Sequence, residues 1–227
     1  MYIVDNSNLA VYQYTLSMPW DVSTASYASL SVSISGQTTY PCGVEFSPDG
    51  TKMYIVNWDN KVIYQYTLST AWNVSTASYA SLSKSVNGQC NSPCGAAFSS
   101  DGTKMYILDY NNRVVYQYTL STPWNVSTAS YASLSKSISG QTTGPFGVEF
   151  SPDGTKMYIL SYSYGNNNVY QYTLSTAWNV STASYASLSV SVTAQNPNPT
   201  GITFSPDGTK MYILDASSLC VYQYTMH

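Results

Sequence analysis

The sequence predicts an all-β protein, a β-propeller of four-stranded antiparallel blades, on three observations. A unit of about 52 residues recurs along the chain, each copy divides into four short strand signals separated by turn residues, and no segment carries helical periodicity. The string Asp-Gly-Thr-Lys-Met-Tyr-Ile starts at Asp49, Asp101, Asp153 and Asp207, and Met-Tyr-Ile stands once more at Met1. Tyr-Gln-Tyr-Thr recurs from Tyr12, Tyr64, Tyr116, Tyr170 and Tyr222, and a Trp-[Asp/Asn]-Val-Ser-Thr-Ala-Ser-Tyr segment from Trp20, Trp72, Trp124 and Trp178. The fourth interval is longer by a Tyr/Gly/Asn-rich turn at 161–168, where a surface loop tolerates insertion.

In the second unit the first strand is the brief run 43–46, ended by Ser47-Pro48-Asp49-Gly50. Proline presets φ in that turn and glycine supplies a positive φ. Residues 52–56 form the second strand, and 57–60 turn into the third at 62–68, the longest β-branched and aromatic run. Serine-rich residues 78–86 are the fourth. One such sheet cannot bury both its faces alone, so copies must stack, and radial stacking leaves only short strand edges. The expectation is one domain over 1–227, with units at about 1–40, 41–92, 93–144, 145–198 and 199–227.

Five hairpins of second and third strands stand beside four first and four fourth strands, eighteen in all. A five-bladed ring with incomplete terminal blades is the leading arrangement. A segment of a longer array, or chains that complete one another's blades, are the alternatives, because an unpaired strand edge invites association.

Composition narrows the function. Of 227 residues only 19 are formally charged and the net charge is −3, which leaves no electrostatic footprint for nucleic acid. No stretch approaches a membrane span, and no secretory signal is visible. Cys42 and Cys94 share a repeat position that is Phe146 and Thr200 elsewhere, so they read as incidental thiols, with a local Cys90–Cys94 disulfide left open.

The pattern Pro-x-Gly-Val-x-Phe-Ser-Pro-Asp-Gly-Thr-Lys-Met-Tyr-Ile followed by Val-Tyr-Gln-Tyr resembles the blades of YVTN/lactonase-like and tryptophan–aspartate repeat propellers, over essentially the whole chain. That resemblance implies that the 43–46 type of strand lines a central channel and the serine-rich strand lies outermost. The longer string also resembles repeats of phage and bacterial surface proteins of unknown role. The Gly-His dipeptide and the Trp-Asp that ends the third strand in the tryptophan–aspartate family are missing, so that family's partner rules do not transfer.

Candidate sites are few. The only histidine is His227, so no Ser-His-Asp or Cys-His set can be assembled, and the expectation is no enzyme and no cofactor. Glu45 and Glu149, the only glutamates, share one strand position with Ala97 and Thr203 and read as channel or rim residues in preference to a catalytic pair. Asp5, Asn57, Asp109, Ser161 and Asp215 would form a ring of oxygens. Asp5, Asp109 and Asp215 are its weak candidates for a hard cation, against turn-opening side chains bonded to their own backbone. Trp58, Tyr110 and Tyr162, varied within an otherwise copied unit, are candidates for binding a neutral ligand. Trp20, Trp72, Trp124 and Trp178 are candidates too, weighed against packing on the neighbouring blade. Asn73, Asn125 and Asn179 open glycosylation sequons, but Asp21 in the first copy points to a shared turn role, and the repeated glutamines are placed for bonds between blades.

The expected function is a non-enzymatic adhesive or structural module, extracellular or carried on a virion or cell surface. Its partner would be a surface glycan or another protein, with self-association through the incomplete blades. A lectin-like glycan binder is the first alternative and a lactonase-like hydrolase the second.

Overall fold

The Ser-x-Asp-Gly turns close the inner hairpins through their own side chains. Asp49 accepts hydrogen bonds from Ser47 Oγ at 2.5 Å, Thr51 N at 3.0 Å and Thr51 Oγ1 at 2.8 Å. Gly50 sits at φ 68°, where a side chain is strained, and a Cβ there would lie 2.4 Å from the Trp72 ring. The tryptophan therefore lids its own turn.

In the computed structural model, which describes residues 1–163 and 165–226, eighteen strands form five separate antiparallel sheets. Tyr164, within the turn at 161–168, and His227 lie outside the described residues. Blade 1 contains β1 (Tyr2–Asp5), β2 (Ala10–Leu16) and β3 (Ala25–Ser33). Blade 2 contains β4 (Pro41–Phe46), β5 (Lys52–Asn57), β6 (Val62–Leu68) and β7 (Ala77–Ser85). Blade 3 repeats it with β8 (Pro93–Phe98), β9 (Lys104–Asp109), β10 (Val114–Leu120) and β11 (Ala129–Ser137). Blade 4 follows with β12 (Pro145–Phe150), β13 (Lys156–Ser161), β14 (Asn168–Leu174) and β15 (Ala183–Ser191). Blade 5 contains β16 (Pro199–Phe204), β17 (Lys210–Asp215) and β18 (Cys220–Thr225).

The third strand falls where the sequence puts it. The first begins earlier, at Pro41, because a bulge between Pro41 and Gly43 keeps the pairing going with Cys42 out of register. The fourth begins at Ala77, after a 3₁₀ turn at Val74–Thr76 capped by the Asn73 side chain. Asp21, Asn125 and Asn179 cap equivalent turns, so one capping role accounts for all four positions. These short turns are the helical content of the described residues, and no helix is long and apolar enough to cross a membrane.

The inner strands stand side by side in the order β4, β8, β12, β16, each against the next, and β1, the second strand of its blade, lies against β4. Tyrosine and glutamine stitch neighbouring blades together. Tyr2 Oη donates to Trp72 O at 2.8 Å, Tyr54 to Trp124 O at 2.8 Å and Tyr106 to Trp178 O at 2.7 Å. Gln13, Gln65 and Gln117 Oε1 accept from the backbone N–H of Val74, Val126 and Val180 at 3.1, 3.0 and 2.9 Å. The same two bonds join blade 5 to blade 1, from Tyr212 Oη to Trp20 O at 2.7 Å and from Val22 N to Gln223 Oε1 at 3.2 Å. Five blades close the ring.

Apolar clusters straddle the blade boundaries, as mutual shielding requires. Tyr54, Val56 and Ile63 of blade 2 pack with Ala96, Met105 and Ile107 of blade 3. Ile55, Ile107 and Ile159 are fully buried, each contributing roughly 1.5–3 kcal/mol.

Candidate active site at one mouth of the channel

Strand direction sorts the candidate residues onto two faces. In blade 2 Phe46 pairs opposite Met53 and Pro41 opposite Asn57, so Glu45 and Phe46 lie at the end that carries the Asp-Gly turn. Trp72, bonded through its N–H to Gly50 O, shares that end, while Cys42, Asn57 and Trp58 lie at the other.

At the Asp-Gly end, Glu45 of β4 and Glu149 of β12 reach one pocket of about 210 Å³, walled by Phe98, Phe150, Trp124 and Trp178. Blade 3 stands between the two acids and departs from the repeat twice there. Ala97 replaces glutamate, which leaves room between the carboxyls, and Ser100 puts a hydroxyl where the other turns have proline. Among the described residues no basic side chain lines this pocket.

Burial raises both acids. Glu45 is pushed well above its ordinary 4.5, first by desolvation and then by the neighbouring Glu149 charge. Desolvation lifts Glu149 to about 8, against a hydrogen bond from Thr203 Oγ1 at 3.5 Å that favours its ionised form. Burial and mutual repulsion therefore keep the two groups from ionising together, so that one carries the proton while the other is charged. A carboxylate beside a carboxylic acid is the arrangement general acid–base hydrolysis needs. Sequence reasoning named these two residues as the one available carboxylate pair but preferred a channel or rim role for them. The visible signal was an alternation of Glu, Ala, Glu and Thr at one repeat position.

The predicted binding residues divide between the faces. Trp20, Trp72, Trp124 and Trp178 stand one per blade at the Asp-Gly end, each at positive φ. Trp72, Trp124 and Trp178 lie on their own blades' turn glycines and Trp20 beside Tyr212, so they meet both the home and the preceding blade. Trp58, Tyr110 and Tyr162 meet at the far end, in a chain of rings completed by Phe146. The centroids are 5.5 Å apart for Trp58–Tyr110, 5.2 Å for Tyr110–Phe146 and 6.0 Å for Phe146–Tyr162. Phe146 escaped the sequence reading because cysteine or threonine fills its place elsewhere.

Around the oxygen ring, Asp109 accepts from Asn91 N at 2.6 Å and Asn112 N at 3.0 Å, and Asp215 from Asn198 N at 2.7 Å and Ser218 N at 2.8 Å. Asp5 accepts from Ser7 N at 2.7 Å. Turn amides thus occupy these carboxylates, and no group of three or more His, Cys, Asp or Glu among the described residues gathers closely enough to hold a metal. All four cysteines are free thiols, and burial raises those of Cys42, Cys90 and Cys94 out of the nucleophilic range.

No protein-family model matches the sequence, and no curated protein does. Solved structures match its fold throughout. A candidate 6-phosphogluconolactonase from Bacteroides uniformis aligns over 100% of this chain and 66% of its own, at 12% identity and a TM-score of 0.58. Another candidate 6-phosphogluconolactonase, from Bacteroides fragilis, aligns over 96% of this chain and 61% of its own, at 13% identity and a TM-score of 0.56. The periplasmic gluconolactonase of Pseudomonas aeruginosa does so over 83% and 50%, at 15% and 0.54. The chain thus spans about two thirds or less of the length of these neighbours.

At such identities the likeness shows the fold, a five-bladed repeat propeller consistent with the YVTN/lactonase-like kind. It also corrects the sequence expectation of a non-enzymatic adhesive or structural module. The proteins that share this architecture include ones named as lactonases, which are enzymes.

Proposed function

We propose that the protein hydrolyses a neutral sugar lactone in the pocket between Glu45 and Glu149. The observation that carries this reading is the pairing of two carboxyl groups, both raised by burial, in an aromatic-walled pocket. The lactonases among its structural neighbours agree with it. A second pocket of about 370 Å³ near Tyr162 is larger, but its described lining carries no carboxyl, imidazole, thiol or amine.

Glu149, raised to about 8 and hydrogen-bonded by Thr203, acts as the base and takes a proton from water as the water oxygen bonds to the lactone carbonyl carbon. Glu45, still protonated, donates to the ring oxygen as the carbon–oxygen bond breaks and the open hydroxy acid forms. A proton released by the product acid restores Glu45, and Glu149 loses its own to solvent. Trp124 and Trp178 offer flat apolar faces to a sugar ring. The pocket is smaller than the roughly 300–1,000 Å³ typical of drug-sized ligands, which suits a single ring. Without a basic lining residue it favours an uncharged lactone over a phosphorylated one.

Glucono-δ-lactone and 6-phosphogluconolactone, followed by pH-stat against the uncatalysed rate, test this. Expected are turnover of the neutral lactone, a rate rising with pH toward about 8 as Glu149 ionises, and losses on the order of 10²-fold or more in Glu45→Gln and Glu149→Gln. Full activity in the double variant would remove the acids from the mechanism.

A further inference from the structure

The described residues give blade 1 three strands, and the uncovered place lies on the channel side of β1. Three observations mark it. Ile3 and Val4 of β1 are partly exposed, whereas their equivalents Ile55 and Val56, covered by β4, are fully buried. On one flank of the gap, Gly201 and Ile202 of β16 are partly exposed and Thr203 is open, whereas their equivalents Gly95, Ala96 and Ala97 of β8 are buried.

The third observation is aromatic. In blades 2, 3 and 4 a phenylalanine from the inner strand lies against a tyrosine of the preceding blade and the tryptophan of its own. Phe46 lies 4.4 Å from Tyr2 and 5.9 Å from Trp72. Phe98 lies 4.5 Å from Tyr54 and 5.4 Å from Trp124, and Phe150 lies 4.3 Å from Tyr106 and 5.6 Å from Trp178. Where blade 5 meets blade 1, Tyr212 and Trp20 stand 6.3 Å apart, and the inner strand that would carry their phenylalanine is not among the described residues.

We propose that this slot binds an extended peptide of the pattern Pro-x-Gly-[Val/Ile]-x-Phe, which pairs with the inner edge of β1 and seats its Phe ring against Tyr212 and Trp20. The inner strands spell out the requirements. Proline, glycine and phenylalanine recur in 41–46, 93–98, 145–150 and 199–204. The closest approach is at Gly147, where a Cβ would lie 2.7 Å from Ile202 of the next inner strand, while Gly43, Gly95 and Gly201 meet their nearest atoms at 3.4, 3.6 and 3.5 Å. Gly43 pairs opposite Val56 and Phe46 opposite Met53, so the peptide glycine belongs opposite Val4 and its phenylalanine opposite Met1. Main-chain pairing supplies adhesion and the glycine and phenylalanine supply selectivity, as in other strand additions to a sheet edge. This inference stands apart from the lactonase reading.

The probe is a synthetic peptide copying residues 199–209, which contains neither cysteine nor glutamate, titrated into the ¹⁵N-labelled chain. Expected are saturable binding, slowed hydrogen exchange in β1, and a shift of the Trp20 indole resonance with blade 3 unaffected. The Phe204→Ser form of the peptide should bind on the order of 10- to 100-fold more weakly. Because alternate amides of a strand face opposite edges, N-methylation at neighbouring peptide positions should abolish binding at one and spare it at the other. Four results would overturn the proposal: no saturable binding, affinity indifferent to the phenylalanine, protection mapping to the outer edge of β18, or a self-association of the chain that the peptide does not compete away.

Discussion

Replacing Glu149 with glutamine should make the protein more stable, by an amount that grows with pH. The amide keeps the shape and can still accept from Thr203, but it cannot ionise. Between the ordinary glutamate value of 4.5 and the about 8 of the folded state, the native chain holds a proton that the unfolded chain has released. Folding stability therefore falls as pH rises across this window, at about 1.36 kcal/mol per pH unit. The full window sets a ceiling of about 5 kcal/mol. Solvent reaching the partly exposed carboxyl from the open mouth lowers the realised penalty to roughly 2–4 kcal/mol. Urea melts of both proteins from pH 4.5 to 9 are the assay. The two stabilities should coincide near pH 4.5 and diverge by that amount at pH 8 and above, with the tyrosines and thiols cancelling in the difference. Parallel curves would refute the claim that folding buries this acid against its charge.

On the acid side the sign reverses. Asp49, Asp101, Asp153 and Asp207 are each lowered to about 2, first by the serine hydroxyl two residues earlier and then by a threonine backbone amide. Their contribution is present above about 3.8 and lost as pH falls toward 2, and Asp153→Asn should flatten that slope in an acid titration followed by circular dichroism. Gly50→Ala and Gly208→Ala share the strain of positive φ, about 1–2 kcal/mol, but only Gly50 meets a tryptophan ring. Thermal melts should show the Gly50 variant losing a further 1–3 kcal/mol or so, and equal losses would deny the lid role of Trp72. Asn57 Nδ2 and Thr38 Oγ1 are buried without partners, whereas blade 4 pairs Thr142 with Ser161 at 2.5 Å in the equivalent place. Asn57→Ser should therefore stabilise by about 1 kcal/mol in urea, and a loss of stability would show that the Tyr40 N bond to Asn57 at 3.3 Å matters more.

The blade was legible because its signals are local. Val62–Leu68 is a run of β-branched and aromatic residues bounded by turn chemistry, and the structure places the strand there without adjustment. The inter-blade role of the glutamines was also readable, since a polar side chain repeated between two covered faces must find a partner. Gln171 shows the limit of copying, because it faces blade 5, where no capped turn is present among the described residues. Strand starts slipped where a bulge intervened. The Pro41–Gly43 irregularity depends on how β4 meets β5, which no single-strand pattern encodes.

The acid pair was harder to see for a geometric reason. Glu45 and Glu149 lie two repeats apart, and whether they face each other depends on the radius of the closed ring and the size of the residue between them. Ala97 decides this, yet alanine in a strand carries no message until the ring is built. A lone histidine at 227, outside the described residues, argued against catalysis only for mechanisms that use histidine. Two carboxyls in a low-dielectric mouth require none.

The joint between blades 5 and 1 brings the last sheet of the described residues against the first. Tyr212, Gln223 and the Lys210 ammonium, which donates to Trp20 O at 2.8 Å, hold it by side chains alone. It is a latch on a belt. Unfastening it would splay the ring while leaving every sheet intact, and blade 3, the spacer between the two acids, sits diametrically across from it. Breathing at the latch would then widen the bore while leaving Glu45 and Glu149 on either side of an undisturbed blade 3.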